Sequence, residues 1–184
     1  AQKADPDPYH LLPSADATQD TVNEPFISRF SAQAAAGYLD GRAHLAEKRC
    51  YACHSTFTFM PARSAIDPLA DEVMRTRVLL ERFTAMCLDP TKLPTVKTHH
   101  IPAVRILAAV ELARHDAATT GSLQPLTRQA LDAIWAAQRK DGAVNWLHVG
   151  EAPQAIDDWW PAAMIALGAG TAPGGYAQTE KAKA

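Results

Sequence analysis

Cysteine is scarce in this chain of 184 residues. There are three, Cys50, Cys53 and Cys87, and an odd number argues against a disulfide framework where 47% hydrophobic content can build a core instead. No apolar run approaches the roughly 20 residues that cross a bilayer, because the greasiest stretch, residues 101–115, is interrupted by Arg105, Glu111 and Arg114. An excess of one charge is also missing. With 18 Lys and Arg against 20 Asp and Glu, the net charge of −2 gives no bulk electrostatic reason to expect nucleic acid or an anionic membrane as partner. Alternating segments long enough for a sheet are absent as well. The chain starts at Ala1 without Met and without a basic stretch leading into an apolar one, which is the pattern of a mature product whose secretory signal is gone, or of a trimmed chain.

What is present reads as helix. Residues 1–25 carry Pro6, Pro8, Pro13 and Pro25 among Asp, Ser and Thr, an extended arm that cannot bury much surface. A short helix is expected from Phe26 to about Ala36, broken by Gly37, with Asp40 capping a second one that runs into Cys50. Ser55 to Pro68, with Pro61 and several β-branched and aromatic residues, reads as a loop. Leu69, Val73, Leu80 and Phe83 then mark an amphipathic helix ending before Pro90. Residues 89–100 form a second Pro-rich loop. Further helices are expected over Ile101–His115, Leu126–Gln138 and from Asp157 or Asp158 to Leu167, with a mobile tail from Thr171. The fold class is all-α: about six helices over residues 26–170, between the arm (1–25) and the flexible tail (171–184).

Cys50-Tyr51-Ala52-Cys53-His54 fits C-x-x-C-H. Two thiols at this spacing match the two vinyl groups of one haem, and the next residue's imidazole reaches the iron. One covalent haem c is the expected cofactor, with His54 as iron ligand and maturation in the periplasm or another exported location. Zinc would need two more thiolate or imidazole ligands at a matching interval, and a thioredoxin-like reading needs a βαβ context; both are lacking. The sixth iron position decides between electron transfer and small-molecule chemistry. His100, His99 and Met60 are its candidates, each weighed against a bland role in surface, capping or packing. His44, His10, His115 and His148 carry no signal, and Cys87 reads as a small buried hydrophobe.

The segment Ala130–Trp146, containing Gln138, Gly142, Val144 and Trp146, resembles the Q-x-x-x-G-x-W repeat of squalene and hopene cyclases, with Val144 where the family has Trp and Trp146 two residues on. Together with Cys50–Ala62 and Asp157–Tyr176, it makes residues 40–176 similar to exported bacterial proteins that join C-x-x-C-H to a cyclase-like α/α toroid. The resemblance implies a half ring of such a toroid. It implies no cyclase activity, because the D-x-D-D acid motif is missing; Asp157 and Asp158 read as helix caps. The expected function is a monohaem c-type cytochrome passing electrons to or from a redox partner protein. The alternative is a haem enzyme or sensor whose open iron binds peroxide, gas or a small apolar substrate. A half ring would leave the helix at Ile101–His115 and the pair Trp159 and Trp160 bare, so a second copy of the chain or a separate chain is expected to cover them.

Overall fold

The computed structural model describes residues 30–47, 54–89, 91, 101–146 and 159–183. The chain divides into a leading unit, Ala1–Ser31, and a helical unit, Ala32–Ala184. Among the described residues all regular structure is helical and no strand occurs: α1 (Ala32–Glu47), α2 (His54–Ser64), α3 (Asp71–Leu88), α4 (Ile101–Thr119), α5 (Pro125–Ala136), α6 (Trp159–Thr171), a 3-10 turn (Tyr176–Gln178) and α7 (Glu180–Lys183). No described helix is long and apolar enough to cross a membrane.

The local reasons are plain in α3 and α5. Asp71 and Glu72 place negative charge in the first turn of α3, where the helix dipole favours it. Val73, Leu80, Phe83 and Cys87 then recur on one face, and all four are buried. Burial pushes the Cys87 thiol up, against the opposing charge of Arg105, as befits a packing residue. Pro125 opens α5, where its missing N–H costs nothing, and Ala130, Leu131 and Ile134 form its buried stripe. After α5 the chain turns sharply. Gln138 Nε2 donates to the Gly142 carbonyl at 2.8 Å, Arg139 N–H donates to Ala143 O at 2.8 Å, and Gly142 takes the left-handed φ of +82° that the turn needs. Val144 and Trp146 are both buried beyond it.

Helix α4 is central. It packs against α2, α3, α5 and α6, and it serves two cores at once. Ala108 and Leu112 join Phe59, Met60, Val73 and Leu80 on one side; Ile106, Ala109, Val110 and Ala113 join Leu131, Ile134 and Ile165 on the other. The expectation of a bare helix at Ile101–His115 is therefore corrected: neighbours on several sides cover it, and its uniformly apolar sequence is the signature of that cover. On α6 the approach is closest at Gly168, where a Cβ would stand 2.8 Å from Val110 Cγ2 and 3.3 Å from Val110 Cα. Only glycine fits there.

Three other expectations are corrected. Helix α1 runs unbroken through Gly37 and Gly41. Each glycine costs about 1 kcal/mol of helix propensity, which tertiary contacts offset: Ala43 is buried, and Asp40 accepts Arg63 Nε at 2.8 Å and Arg63 Nη2 at 3.2 Å from α2. Residues 54–64 are helix rather than loop, with Pro61 inside. An internal proline costs about 3 kcal/mol, and the burial of Thr56, Phe59, Met60 and Arg63 is what holds the helix through it. The tail is not loose. Gly174 and Gly175, both at positive φ, turn the chain back so that Tyr176 is buried, receiving Trp135 Nε1–H at 3.0 Å and donating to Asp132 Oδ1 at 2.9 Å.

Candidate functional site

Of the haem motif, Cys50 and Cys53 lie outside the described residues, and His54 is the first residue of α2. The row of α2 that continues from His54 at helical spacing is Thr58, Pro61 and Ala62. These are small and uncharged; Thr58 and Ala62 are exposed. The opposite face carries Thr56, Phe59, Met60 and Arg63 into the interior. Met60, six residues on, leaves the helix about 120° around the axis from His54. It is 1% exposed, packed in the cluster of Phe59, Val73, Leu80, Ala108 and Leu112. His99 and His100 lie outside the described residues, directly before α4. Among the described residues no group of three or more His, Cys, Asp and Glu is arranged to hold a metal ion.

A second polar site joins α3 to α4. Arg77, buried on α3, sets Nη2 2.7 Å from Asp116 Oδ1, Nε 3.0 Å from Glu81 Oε1 and Nη1 2.7 Å from His115 Nδ1. A guanidinium only donates, so His115 Nδ1 is the acceptor, and its Nε2–H donates to the Pro68 carbonyl at 2.9 Å. His115 is thus held neutral in one tautomer. Burial lowers its pKa, the bond to Pro68 opposes that, and Arg77 adds to the lowering. Asp116 Oδ2 also accepts the Gln124 N–H at 2.8 Å, tying the chain entering α5 to the same centre. Above these groups an open cleft of about 540 Å³ is lined by Leu69, Met74, Thr119 and Leu126 as well as Arg77 and His115. Both nitrogens of His115 are engaged, so the arrangement clamps helices.

Glu111 is buried on α4, with Arg114 Nη1 at 3.2 Å. Burial pushes its carboxyl up to about 7, only partly opposed by Arg114. Between its ordinary 4.5 and about 7, the folded chain keeps a proton that the unfolded chain has released. Stability from this group is full below 4.5 and declines as pH rises through that window, on the order of 3 kcal/mol in all. His115 acts in the opposite sense: its lowered pKa makes stability full above about 6.5 and declining as pH falls below that. Glu111→Gln is expected to remove the fall above pH 4.5, leaving stability that rises with pH up to about 6.5, and to exceed the wild type by about 1–2 kcal/mol at pH 8. Urea unfolding at pH 4.5, 6 and 8 checks it; an unchanged slope refutes it.

Sequence reasoning missed this cluster, passing over His115 because its partners lie 38 and 47 residues away along the chain. A buried Arg-His-Asp set has no local spacing to read; the one hint was the adjacent pair His115-Asp116 in a largely apolar helix. The folding back of Tyr176 onto Trp135 likewise joins residues 41 apart. Such contacts exist only once the helices have packed. No protein-family model, no curated protein and no solved structure matches the chain.

Proposed function

We propose that the chain is an exported monohaem c-type cytochrome that carries electrons for a redox partner protein, with Cys50 and Cys53 holding the haem and His54 bound to its iron. The observation that carries the reading is the C-x-x-C-H spacing itself, whose donor set of two thiols and one imidazole suits a haem and falls short of a zinc site. The row of α2 that continues from His54 supports it. Thr58, Pro61 and Ala62 are small and uncharged, with Phe57 at the edge of the same face, a surface against which a flat macrocycle can lie. When bound, the haem supplies a one-electron couple between ferric and ferrous iron. The chain's own part is to fix the group through two thiols, give one axial imidazole and keep water from one face.

For the sixth position the packing favours His100 or His99 over Met60, whose side chain is committed to the core. Met60 of α2 shares a cluster with Ala108 and Leu112 of α4, and farther along both segments Pro68, just past α2, accepts from His115 near the end of α4. Two points in the same order mean that α2 and α4 run in the same direction, so the chain enters α4 at the end where α2 begins. That end is where His54 stands, and His100 immediately precedes Ile101. The cyclase-like half ring remains part of the proposal, supported by the turn at Gln138–Ala143.

The test is direct. Protein made in a host that attaches haem c outside the cytoplasm is expected to keep its colour after acid-acetone extraction, and its Cys50–His54 peptide to carry a haem-sized mass. Extractable haem, or none, sinks the reading. His100→Ala, or His99→Ala, is expected to convert a reduced protein indifferent to carbon monoxide into one that binds it; a wild type that already binds the gas places the chain among the open-iron enzymes and sensors.

A further inference from the structure

Helix α6 meets α4 through Pro161, Ile165, Gly168 and Ala169, all buried. The residues on the opposite side form two rows at four-residue spacing: Trp159, Ala163 and Leu167, and beside them Ala162, Ala166 and Gly170. All six are exposed, Trp159 at 82% and Leu167 at 41%. Trp160 adds a further 36% exposed indole at the same end. From Trp159 to Thr171 the helix has no charged side chain at all. Exposed helix faces are ordinarily rich in charge, and an uncharged apolar one with two tryptophans marks an interface.

We propose that this outward face of α6 docks a second copy of the same chain, the two α6 helices lying antiparallel about a two-fold axis. A two-fold interface must be complementary to itself, and this face is. Its bulk sits at one end, in Trp159 and Trp160, and its smallest residues, Ala166 and Gly170, at the other. Antiparallel pairing lays the indoles of each copy over the small end of its partner. Parallel pairing would set indole against indole and leave a void between the glycines. A partner that presents charge would lose the hydration of that charge without gaining an opposite one, since the face has none to offer.

The size of the contact sets its strength. A helix of 13 residues is about 20 Å long, and a tryptophan buries about 150–250 Å² in all, of which Trp160, 36% exposed, has only a part left to give. With the small residues between them, each copy buries less than the roughly 800 Å² of a standard interface. The dimer is therefore weak and reversible. The inference rests on the α6 face alone and stands or falls separately from the haem.

Sedimentation velocity of the full chain, from about 1 to several hundred micromolar, reads it out. The wild type is expected to move from the 19.9 kDa of one chain toward twice that mass. Ala166→Glu, which adds a charge at an exposed helical position in the middle of the face, is expected to raise the midpoint concentration at least tenfold. Ala85→Glu, the same change at an exposed position of α3, is expected to leave it in place, and circular dichroism to report equal helix in all three. A wild type that stays monomeric throughout overturns the proposal, as does a dimer indifferent to Ala166→Glu. A purified monomer that instead captures a different chain, released by Ala166→Glu, overturns the choice of a second copy.

Discussion

Asp116→Ala is expected to lower the free energy of unfolding by about 3–5 kcal/mol, the cost of breaking one side of a buried ion pair. Asp116 is 0% exposed, and Arg77, its partner at 2.7 Å, is itself buried. The alanine would leave a guanidinium in the interior facing only Glu81, which is partly exposed, and His115, which is neutral. It would also strip the Gln124 N–H of its acceptor at the entry to α5. Asp116→Asn keeps an oxygen for one of these donors and loses the charge, so a smaller loss, about 1–2 kcal/mol, is expected. Guanidinium chloride melts of the three proteins at pH 7 check this. Equal midpoints for Asp116→Ala and wild type would show that the cluster contributes nothing to the fold.

The same cluster explains what a reader of the sequence can and cannot see. The helices whose signals are local were legible: α3 from the recurrence of Val73, Leu80 and Phe83, α5 within Leu126–Gln138, and α4 from its apolar run. Where a local signal and a distant contact disagree, the contact prevails. Pro61 argues for a loop, yet the burial of Phe59 and Met60 and the grip of Arg63 on Asp40, 23 residues earlier, keep α2 helical. Gly37 argues for a break, yet α1 packs against α2, with Asp40 holding Arg63.

The candidate site divides in the same way. The C-x-x-C-H pattern is a local signal, since it lies within five consecutive residues. That Met60 is committed to the core was not readable from spacing, because it depends on which face of α2 turns inward. Likewise, Trp159 and Trp160 are exposed, at 82% and 36%, while Ile101–His115 is not the bare helix expected. Both stretches are apolar, and only the packing of α4 among four other helices separates them.

Tyr176→Ala is expected to cost about 3–5 kcal/mol, the range for removing a large buried aromatic. The chain from Thr171 onward reads as a mobile tail, and Tyr176 is the reason it is not one. Its ring is 1% exposed, with the Arg128 guanidinium 5.6 Å from its centre. Its hydroxyl stands between Trp135 Nε1 and Asp132 Oδ1. Burial, then Asp132, holds the phenol far above its ordinary pKa, so the hydroxyl stays a donor at any working pH. Burial alone would raise the Asp132 carboxyl, but the hydrogen bonds from Lys181 and Tyr176 outweigh it and hold the group below its usual value. Lys181 reaches the second oxygen of Asp132 at 2.7 Å, so α7 is fastened to α5 through the same acid. Alanine would remove the ring, orphan the Trp135 N–H and release the strap of residues 172–183 together. Tyr176→Phe keeps the ring and loses only the hydroxyl, which is expected to cost about 1 kcal/mol. Hydrogen exchange separates the two. In Tyr176→Ala the amides of Ala172, Gln178, Thr179 and Ala182, all bonded within the strap or to the end of α6, should lose protection far ahead of α4. If they remain as protected as in the wild type, Tyr176 is not the anchor of the tail.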